Sequence, residues 1–318
     1  MARTLLLRVG GWWGATRIGV GAATGAGAAG AVYAARNLRT GGRVAVKVLH
    51  APMERAAEQV SDPQSGARAR FLAEARVLAE LQHSGLVRVF DVHEPADGPP
   101  FLVMELLLGE DLRRCLARRR QLPLDRALRL AFQAGTALHV AHQRGVIHRD
   151  LKPSNVLIDV EGHINVSDFG VAALDGAVPN RGIGSPFSAS PQQIEGEPPT
   201  PADDVYGLGA LAYELLSGYP PYYPDFDARA VIGAPVPELL PIHPTPPRLV
   251  RLVMRMLAKD PAERPGSMDD LQEELHAALQ DTISTGVEED VDDAARELAG
   301  VDTEPRVDLA LRGSTPAV

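Results

Sequence analysis

Val146-Ile147-His148-Arg149-Asp150-Leu151-Lys152-Pro153-Ser154-Asn155-Val156-Leu157 is the stretch on which the reading of this chain turns. It sets an acid, a base and an amide within six residues of one another. A second acid follows in Asp168-Phe169-Gly170, 13 residues after Asn155. A single Asp in such a place is ordinarily a turn residue or a helix cap. That reading does not account for Asp150, Lys152, Asn155 and Asp168 together.

Working outward, residues 124–144 place Ala127, Leu130, Ala131, Ala134, Leu138 and Ala141 on one helical stripe. Residues 201–218 predict a second, largely apolar helix through Val205, Leu208, Leu211 and Leu215, and residues 248–257 and 268–279 predict two more. On the N-terminal side, Arg43-Val44-Ala45-Val46-Lys47-Val48-Leu49 alternates as a strand after a Thr40-Gly41-Gly42 turn. Residues 67–82 carry Phe71, Leu72, Ala75, Leu78, Ala79 and Leu81 at helical spacing, and apolar runs follow at 86–92 and 101–104. A small β-rich region with one helix therefore precedes a larger helical region.

Gly25-Ala26-Gly27-Ala28-Ala29-Gly30-Ala31-Val32 fits G-x-G-x-x-G-x-V. Glycines let backbone N–H groups approach phosphates without a Cβ in the way. Alone the match is weak, since the region is rich in Gly and Ala and a flexible turn explains it as well. A dinucleotide fold would have these glycines open a helix. Here a strand follows instead, ending in Val44-Ala45-Val46-Lys47. A strand-end lysine is usually just solvated. This one falls 17 residues after Gly30, where a hairpin brings it over the phosphates, and Glu74 on the next helix is placed to pair with it.

With these motifs in this order, the chain resembles the eukaryotic-like (Hanks-type) serine/threonine protein kinases of bacteria, over roughly residues 16–280. The resemblance implies an α+β, bilobal protein-kinase fold: a β-rich N-lobe with one main helix, a hinge at residues 105–108, and a larger helical C-lobe. It divides the chain into an extension at 1–15, the N-lobe at 16–105, the C-lobe at 106–280 and an acidic, disordered or nascently helical tail at 281–318. The implied reaction is transfer of the γ-phosphoryl group of ATP to protein Ser or Thr hydroxyls with Mg²⁺. Asp150 would orient the hydroxyl and accept its proton, Lys152 would stabilise the transferring group, and Asn155 and Asp168 would hold Mg²⁺. Lys47, fixed by Glu74, would clamp the phosphates under Gly25, Gly27 and Gly30. Val32, Ala45 and Leu157 would sandwich adenine, with Met104 behind it and the backbones of Glu105 and Leu107 bonding it. His148 would pack on Phe169 with Leu78. Asp204 would brace the catalytic-loop backbone. Asp111 would reach the ribose or cap a helix. Lys152-Pro153 points to Ser/Thr rather than Tyr as acceptor.

Three features depart from the family pattern. Ser190-Pro191-Gln192 stands where the family has Ala-Pro-Glu, so Arg264 meets an amide instead of a carboxylate, which predicts a softer C-lobe. Residues 171–184 contain no Ser, Thr or Tyr, which predicts activity without a phosphate on that loop; Ser185 and Ser188 lie just beyond it. Thr24 replaces the usual aliphatic roof over adenine in a first strand expected to be poorly formed.

Bulk properties narrow the rest. A chain of 318 residues with 45% apolar content can bury one or two cores. Cys115 is the only cysteine, which rules out an intrachain disulfide and a Cys-based zinc site and fits a reducing cytoplasm. Of the net charge of −9, the stretch from 281 onward supplies −7 (ten acidic, three basic), leaving no basic field for nucleic acid. The uncharged stretch at 18–35 is Gly and Ala, too weakly apolar for a membrane span. Arg113, Arg114, Arg118, Arg119 and Arg120 read as a solvated helix face, with acidic substrates or the acidic tail as the alternative. Partners are then protein substrates, the chain itself by autophosphorylation included. Two other readings stand beside this one: a pseudokinase that signals by contact, and a small-molecule kinase of related fold.

Overall fold

In the computed structural model the described residues are 18–27, 30–38, 40–49, 75, 77–94, 100–119, 121–169, 173, 174 and 186–284. Alternating β-branched residues make Arg43–Leu49 a strand, β3, near the middle of a five-stranded sheet. Strands β1 (Ile18–Gly27), β2 (Gly30–Asn37), β4 (Val89–His93) and β5 (Phe101–Glu105) complete it, in the order β1-β2-β3-β5-β4, all antiparallel. Val44 and Val46 pack with Ala35 and Val103 into a small core on one face. Ala45 and Lys47 alternate to the opposite face, because successive side chains of a strand point to opposite sides. The β2–β3 turn forms where Thr40-Gly41-Gly42 predicts it. Gly41 adopts φ 74° and its N–H donates to the Asn37 carbonyl at 2.7 Å.

The uncharged Gly/Ala stretch is thus a β-hairpin, and no helix among the described residues is long and apolar enough to cross a membrane. β1 is better formed than its sequence predicts, with ten residues in continuous strand. It keeps two register shifts against β2, between Val20 and Ala23 and between Ala23 and Gly25. Of the helix predicted at 67–82, residues 75 and 77–80 are described and helical.

Beyond β5 the chain turns helical: α1 (Leu112–Arg119), α2 (Leu124–His142), α3 (Pro191–Glu195), α4 (Pro201–Ser217), α5 (Ala228–Gly233), α6 (Pro247–Met256) and α7 (Met268–Ser284). Short strands β6 (Gly109–Asp111), β8 (Val156–Asp159) and β9 (Ile164–Val166) form one small sheet. β7 (Val146–Ile147) and β10 (Ala173–Leu174) form another. The architecture is the α+β, two-region fold that the motifs predict.

α4 is the axis of the helical region, with Val205, Leu208, Leu211 and Leu215 all buried. Each such side chain contributes about 1.5–3 kcal/mol when fully buried. Pro201 opens the helix, where its missing N–H is no loss, and Gly218 closes it at φ 86°. Gly209 lets α6 come close: a Cβ there would sit 2.8 Å from the Met256 Cβ. The predicted stripe of α2 is buried at every position named, from Ala127 to Ala141. α2 stops at His142, two residues earlier than predicted, because Gly145 takes φ 70° and donates back to the His142 carbonyl at 2.8 Å. α7 runs to Ser284, past the boundary predicted at 280. No Gly or Pro breaks the sequence before Gly286, so nothing local ends the helix earlier.

Candidate active site

The segment between β7 and β8 is held from beneath by one carboxylate. Asp204, buried in the first turn of α4, accepts the N–H groups of His148 and Arg149, each at 2.8 Å, and contacts His142 Nε2 at 2.7 Å. Two successive amides can aim at one acceptor only if the chain turns sharply, and Arg149 adopts φ 62° to do so. That conformation costs a non-glycine residue about 1–2 kcal/mol, which charge-assisted hydrogen bonds to a buried acceptor offset. Burial alone would raise the Asp204 pKa. The His142 hydrogen bond and charge, with help from His148 and the Arg149 amide, outweigh it and leave Asp204 below the ordinary carboxylate range.

Above this brace sits Asp150. Its Oδ2 accepts from Lys152 Nζ at 2.7 Å and from Asn155 Nδ2 at 3.1 Å. Asn155 Nδ2 also donates to the Asp150 carbonyl at 2.8 Å, so its amide nitrogen faces Asp150 and its Oδ1 faces away. The Asp150 N–H donates to His148 Nδ1 at 3.1 Å, which leaves the other ring nitrogen, Nε2, to donate to the Ser167 carbonyl at 3.0 Å. His148 is fully buried and its ring lies 4.5 Å from that of Phe169. Its contacts are those of a structural residue, as the sequence predicts. Leu78 belongs to the core against which Phe169 packs.

Asp168 faces this group from the segment after β9, at φ 63°. Its carboxylate forms an ion pair with Lys47 from β3, joining the sheet to the helical region. Burial pushes Asp168 up; the charge and hydrogen bond of Lys47, then His148 and Lys152, pull it below its ordinary value. The predicted pairing of Lys47 with Glu74 lies outside the described residues, and Asp168 is the carboxylate described at Lys47.

The predicted adenine residues fall on β2, β3, β5 and β8 and on the connection between β5 and β6. Val32 on β2 is opposite Lys47, and Ala45 on β3 is opposite Met104 at the end of β5. Glu105 ends β5, Leu107 lies between β5 and β6, and Leu157 on β8 follows the catalytic loop directly, opposite Asp111. The Glu105 N–H donates to the Arg88 carbonyl at 2.9 Å, so it is not the group that would meet a base. Gly25, Gly27 and Gly30 occupy the β1–β2 hairpin end, with Gly25 opposite Val32 and Gly27 opposite Gly30. Asp111 caps α1, accepting from the Arg114 N–H at 2.9 Å, which is the helix-cap alternative of the two read from sequence.

Sequence reasoning did not find a second buried network under the loop. Asp203 accepts from Ser190 Oγ and from the Thr200 N–H at 3.2 Å, and its Oδ2 lies 4.0 Å from Arg149 Nε. Gln193 Nε2 donates to the Arg149 carbonyl at 2.9 Å. Burial, the largest influence, raises the Asp203 pKa despite these contacts. Thr200-Pro201 followed by an acid at the third helical position is the capping signal that would have located Asp203.

The amide at position 192 keeps the hydrogen bond to Arg264 and adds a second contact. Gln192 Oε1 accepts from Arg264 Nη2 at 2.7 Å, while its Nε2 donates to the Lys259 carbonyl at 2.9 Å. A carboxylate cannot make the second contact. Arg264 gains the Ala258 and Ala202 carbonyls at 2.8 and 2.9 Å and lies over the Tyr206 ring at 5.1 Å. The amide thus bonds both the Arg264 guanidinium and the Lys259 carbonyl. Ser188 is buried; Ser185 and most of 171–184 lie outside the described residues.

Comparison with known proteins follows this geometry. Residues 19–276 match the protein kinase domain. Serine/threonine-protein kinase PknA of Mycobacterium tuberculosis is 41% identical over 249 residues, covering 75% of this chain and 56% of that protein. The DNA damage-responsive serine/threonine-protein kinase RqkA of Deinococcus radiodurans is 37% identical over 254 residues, 76% of this chain and 36% of its own. Serine/threonine-protein kinase pkn3 of Myxococcus xanthus is 33% identical over 280 residues, 81% and 49% respectively. The chain thus spans about half or less of the length of these relatives.

Proposed function

The chain belongs to the protein kinase domain family, and from that premise we propose that it transfers the γ-phosphoryl group of ATP to Ser or Thr hydroxyls of proteins. The observation that carries the proposal is the convergence of three segments: Asp150, Lys152 and Asn155 of one loop form one hydrogen-bonded group, and Lys47 and Asp168 form a second that feels the charge of Lys152.

Phosphoryl transfer is chiefly positioning and charge neutralisation. Asp150 would take a hydrogen bond from the acceptor hydroxyl and receive its proton as the new P–O bond forms and the bond to the leaving ADP breaks. Lys152, already 2.7 Å from Asp150, would follow the charge onto the transferring group. Lys47 would release part of its contact with Asp168 to hold phosphate oxygens. The donor set fits Mg²⁺: Asp168 is held ionised by its cationic neighbours, and Asn155 turns its oxygen outward because its nitrogen is engaged. Two protein oxygens with phosphate oxygens and water are a common Mg²⁺ environment. Bound there, the ion would neutralise charge on the β- and γ-phosphates.

The hairpin glycines Gly25, Gly27 and Gly30 would cover the phosphates. Val32, Ala45, Met104, Leu157 and the backbones of Glu105, through its carbonyl, and Leu107 would receive adenine. We extend the proposal to the N-lobe and C-lobe limits of 16–105 and 106–280, with the helical end moved to Ser284, and to autophosphorylation. Use of ATP and a single buried cysteine both fit work in a reducing cytoplasm.

The test is transfer of labelled γ-phosphate with Mg²⁺ to a generic protein and to the chain itself, with Asp150→Asn in parallel. Phosphoserine or phosphothreonine that disappears in the variant is the expected result, a loss of about 10²–10⁴-fold. ATP binding without transfer would favour a pseudokinase, and label on a small molecule instead of protein would replace the acceptor class.

A further inference from the structure

Helices α2 and α7 lie antiparallel along a common seam, and three contacts fix their register. Asp269 is 3.3 Å from His139, a Cβ added at Gly135 would lie 3.9 Å from Gln272 Cγ, and the His276 ring stands 6.0 Å from that of Phe132. Further along, Leu275 shares a small apolar void with Leu128 and Ala131. Each step toward the end of α7 is matched by a step toward the start of α2. Continued at the same register, residues 281–284 lie against the first turn of α2, residues 124–127.

That turn belongs to a cationic corner. Arg118 and Arg119 end α1, and Arg126 and Arg129 follow on the first turns of α2. Among the described residues Glu110 pairs with Arg118, and Asp125 lies 3.7 Å from Arg129. Arg120 adds a further positive charge in the sequence between the two helices. Burial, and then repulsion from Arg119, lower the pKa of Arg126 against opposing pulls from Cys115, Asp125 and Glu110. Among the described residues, Arg118, Arg119, Arg126 and Arg129 stand here with the two carboxylates Glu110 and Asp125.

The chain that leaves α7 here is strongly negative. After Thr285-Gly286-Val287 come Glu288, Glu289, Asp290, Asp292 and Asp293, five carboxylates in six residues. Three extended residues span about 10 Å, so the acidic run begins within reach of the corner. We propose that residues 288–293 dock on the arginine corner formed by the end of α1 and the start of α2. The occupant is this chain's own segment, fixed by where α7 ends, by the short connection and by complementary charge. Tethering raises the local concentration of the segment well above that of any free acidic protein. The contact is salt-sensitive, because exposed charges are screened over about 10 Å at 0.1 M salt and about 3 Å at 1 M.

The experiment uses the full chain and a Glu-specific endoprotease, following cleavage after Glu288 and Glu289 at low salt. Docking slows that cleavage. Arg118→Glu with Arg129→Glu, both exposed positions, accelerates it at least fivefold. Adding Asp292→Lys and Asp293→Lys to that variant restores slow cleavage, a rescue that a merely destabilised protein does not show. Arg251→Glu, an exposed reversal on α6, leaves the rate unchanged. Equal cleavage in wild type and the arginine variant overturns the proposal, as does equal acceleration by Arg251→Glu. A raised KM for an acidic protein substrate with tail cleavage unaffected also overturns it, and assigns the corner to substrate instead.

Discussion

The β1–β2 hairpin and the loop under Asp150 serve one proposed reaction with opposite construction. The hairpin is Gly and Ala over most of its length, shows register shifts, and belongs to a sheet whose core is Ala35, Val44, Val46 and Val103 with Val48 and Phe101 beside them. The catalytic loop has buried charge on every side and rests on α4, whose inward residues are among the least exposed in the molecule. In the hairpin, backbone groups would do the work, and side chains are kept small. In the loop, side chains would do the work, and each needs a partner that fixes it. Substitutions should therefore act mainly on ligand handling in the first region and mainly on stability in the second.

The sharpest way to break this contrast is Asp204→Ala. It strips two buried amides and His142 of one acceptor, at about 1–3 kcal/mol for each buried group left unsatisfied. A loss of about 4 kcal/mol and roughly 10 °C in melting temperature is expected, with transfer activity falling alongside. The sign with pH follows from the depressed pKa of Asp204. Its stabilisation is complete above the unfolded carboxylate pKa and is lost as pH falls through the lower folded value. Melts of wild type and variant should converge in that acid range, and a constant gap would show that its charge is not what matters.

Gly109→Ala comes next. A Cβ there would fall 1.9 Å from the Ile158 carbonyl oxygen, so β6 and β8 must part just beside the proposed hinge. We expect about 3 kcal/mol of destabilisation, read by denaturant midpoint; a change under ~1 kcal/mol would mean the strands relax apart freely.

Glu214→Gln tests the opposite sign in α4. Burial raises the Glu214 carboxyl to about 7, with Arg113 pulling weakly the other way. An acid with a raised folded pKa destabilises the native state above that pKa and ceases to do so below the unfolded value. The variant should gain about 1–2 kcal/mol at pH 8 and nothing at pH 4, checked by melts at the two values.

Gln192→Glu should change stability by less than about 1 kcal/mol. A charged partner for Arg264 is gained, but the bond to the Lys259 carbonyl is replaced by facing oxygens. Smallest in stability is Gly27→Ala, expected within about 0.5 kcal/mol of wild type yet raising KM for ATP about tenfold. Equal KM would remove the hairpin glycines from the proposed site.

Much of this was legible because local patterns and local structure coincide. The strand of Val44, Val46 and Val48, the stripe of α2 and the cap role of Asp111 can each be read from a few neighbouring residues, whereas the brace of Asp204 was implied only by the family resemblance. The network of Ser190, Asp203, Gln193 and Arg149 could not, since it joins segments tens of residues apart through one buried acid. The same holds for Gln192, whose second hydrogen bond depends on where the Lys259 carbonyl points. α7 overran its predicted end because acidic composition argues against packing without supplying a stop.

Cys115 lies at zero exposure in α1 and is the chain's only thiol. Burial, and then Glu110, raise its pKa above the ordinary thiol value against the pull of Arg126, Arg119 and Arg118, so it offers little thiolate to an electrophile in the native state. A maleimide dye or nitroxide should therefore find almost nothing to react with on the unmodified chain. One cysteine introduced at the hairpin tip or beyond Ser284 becomes an address of its own, and the two regions can be labelled separately without first removing a native residue.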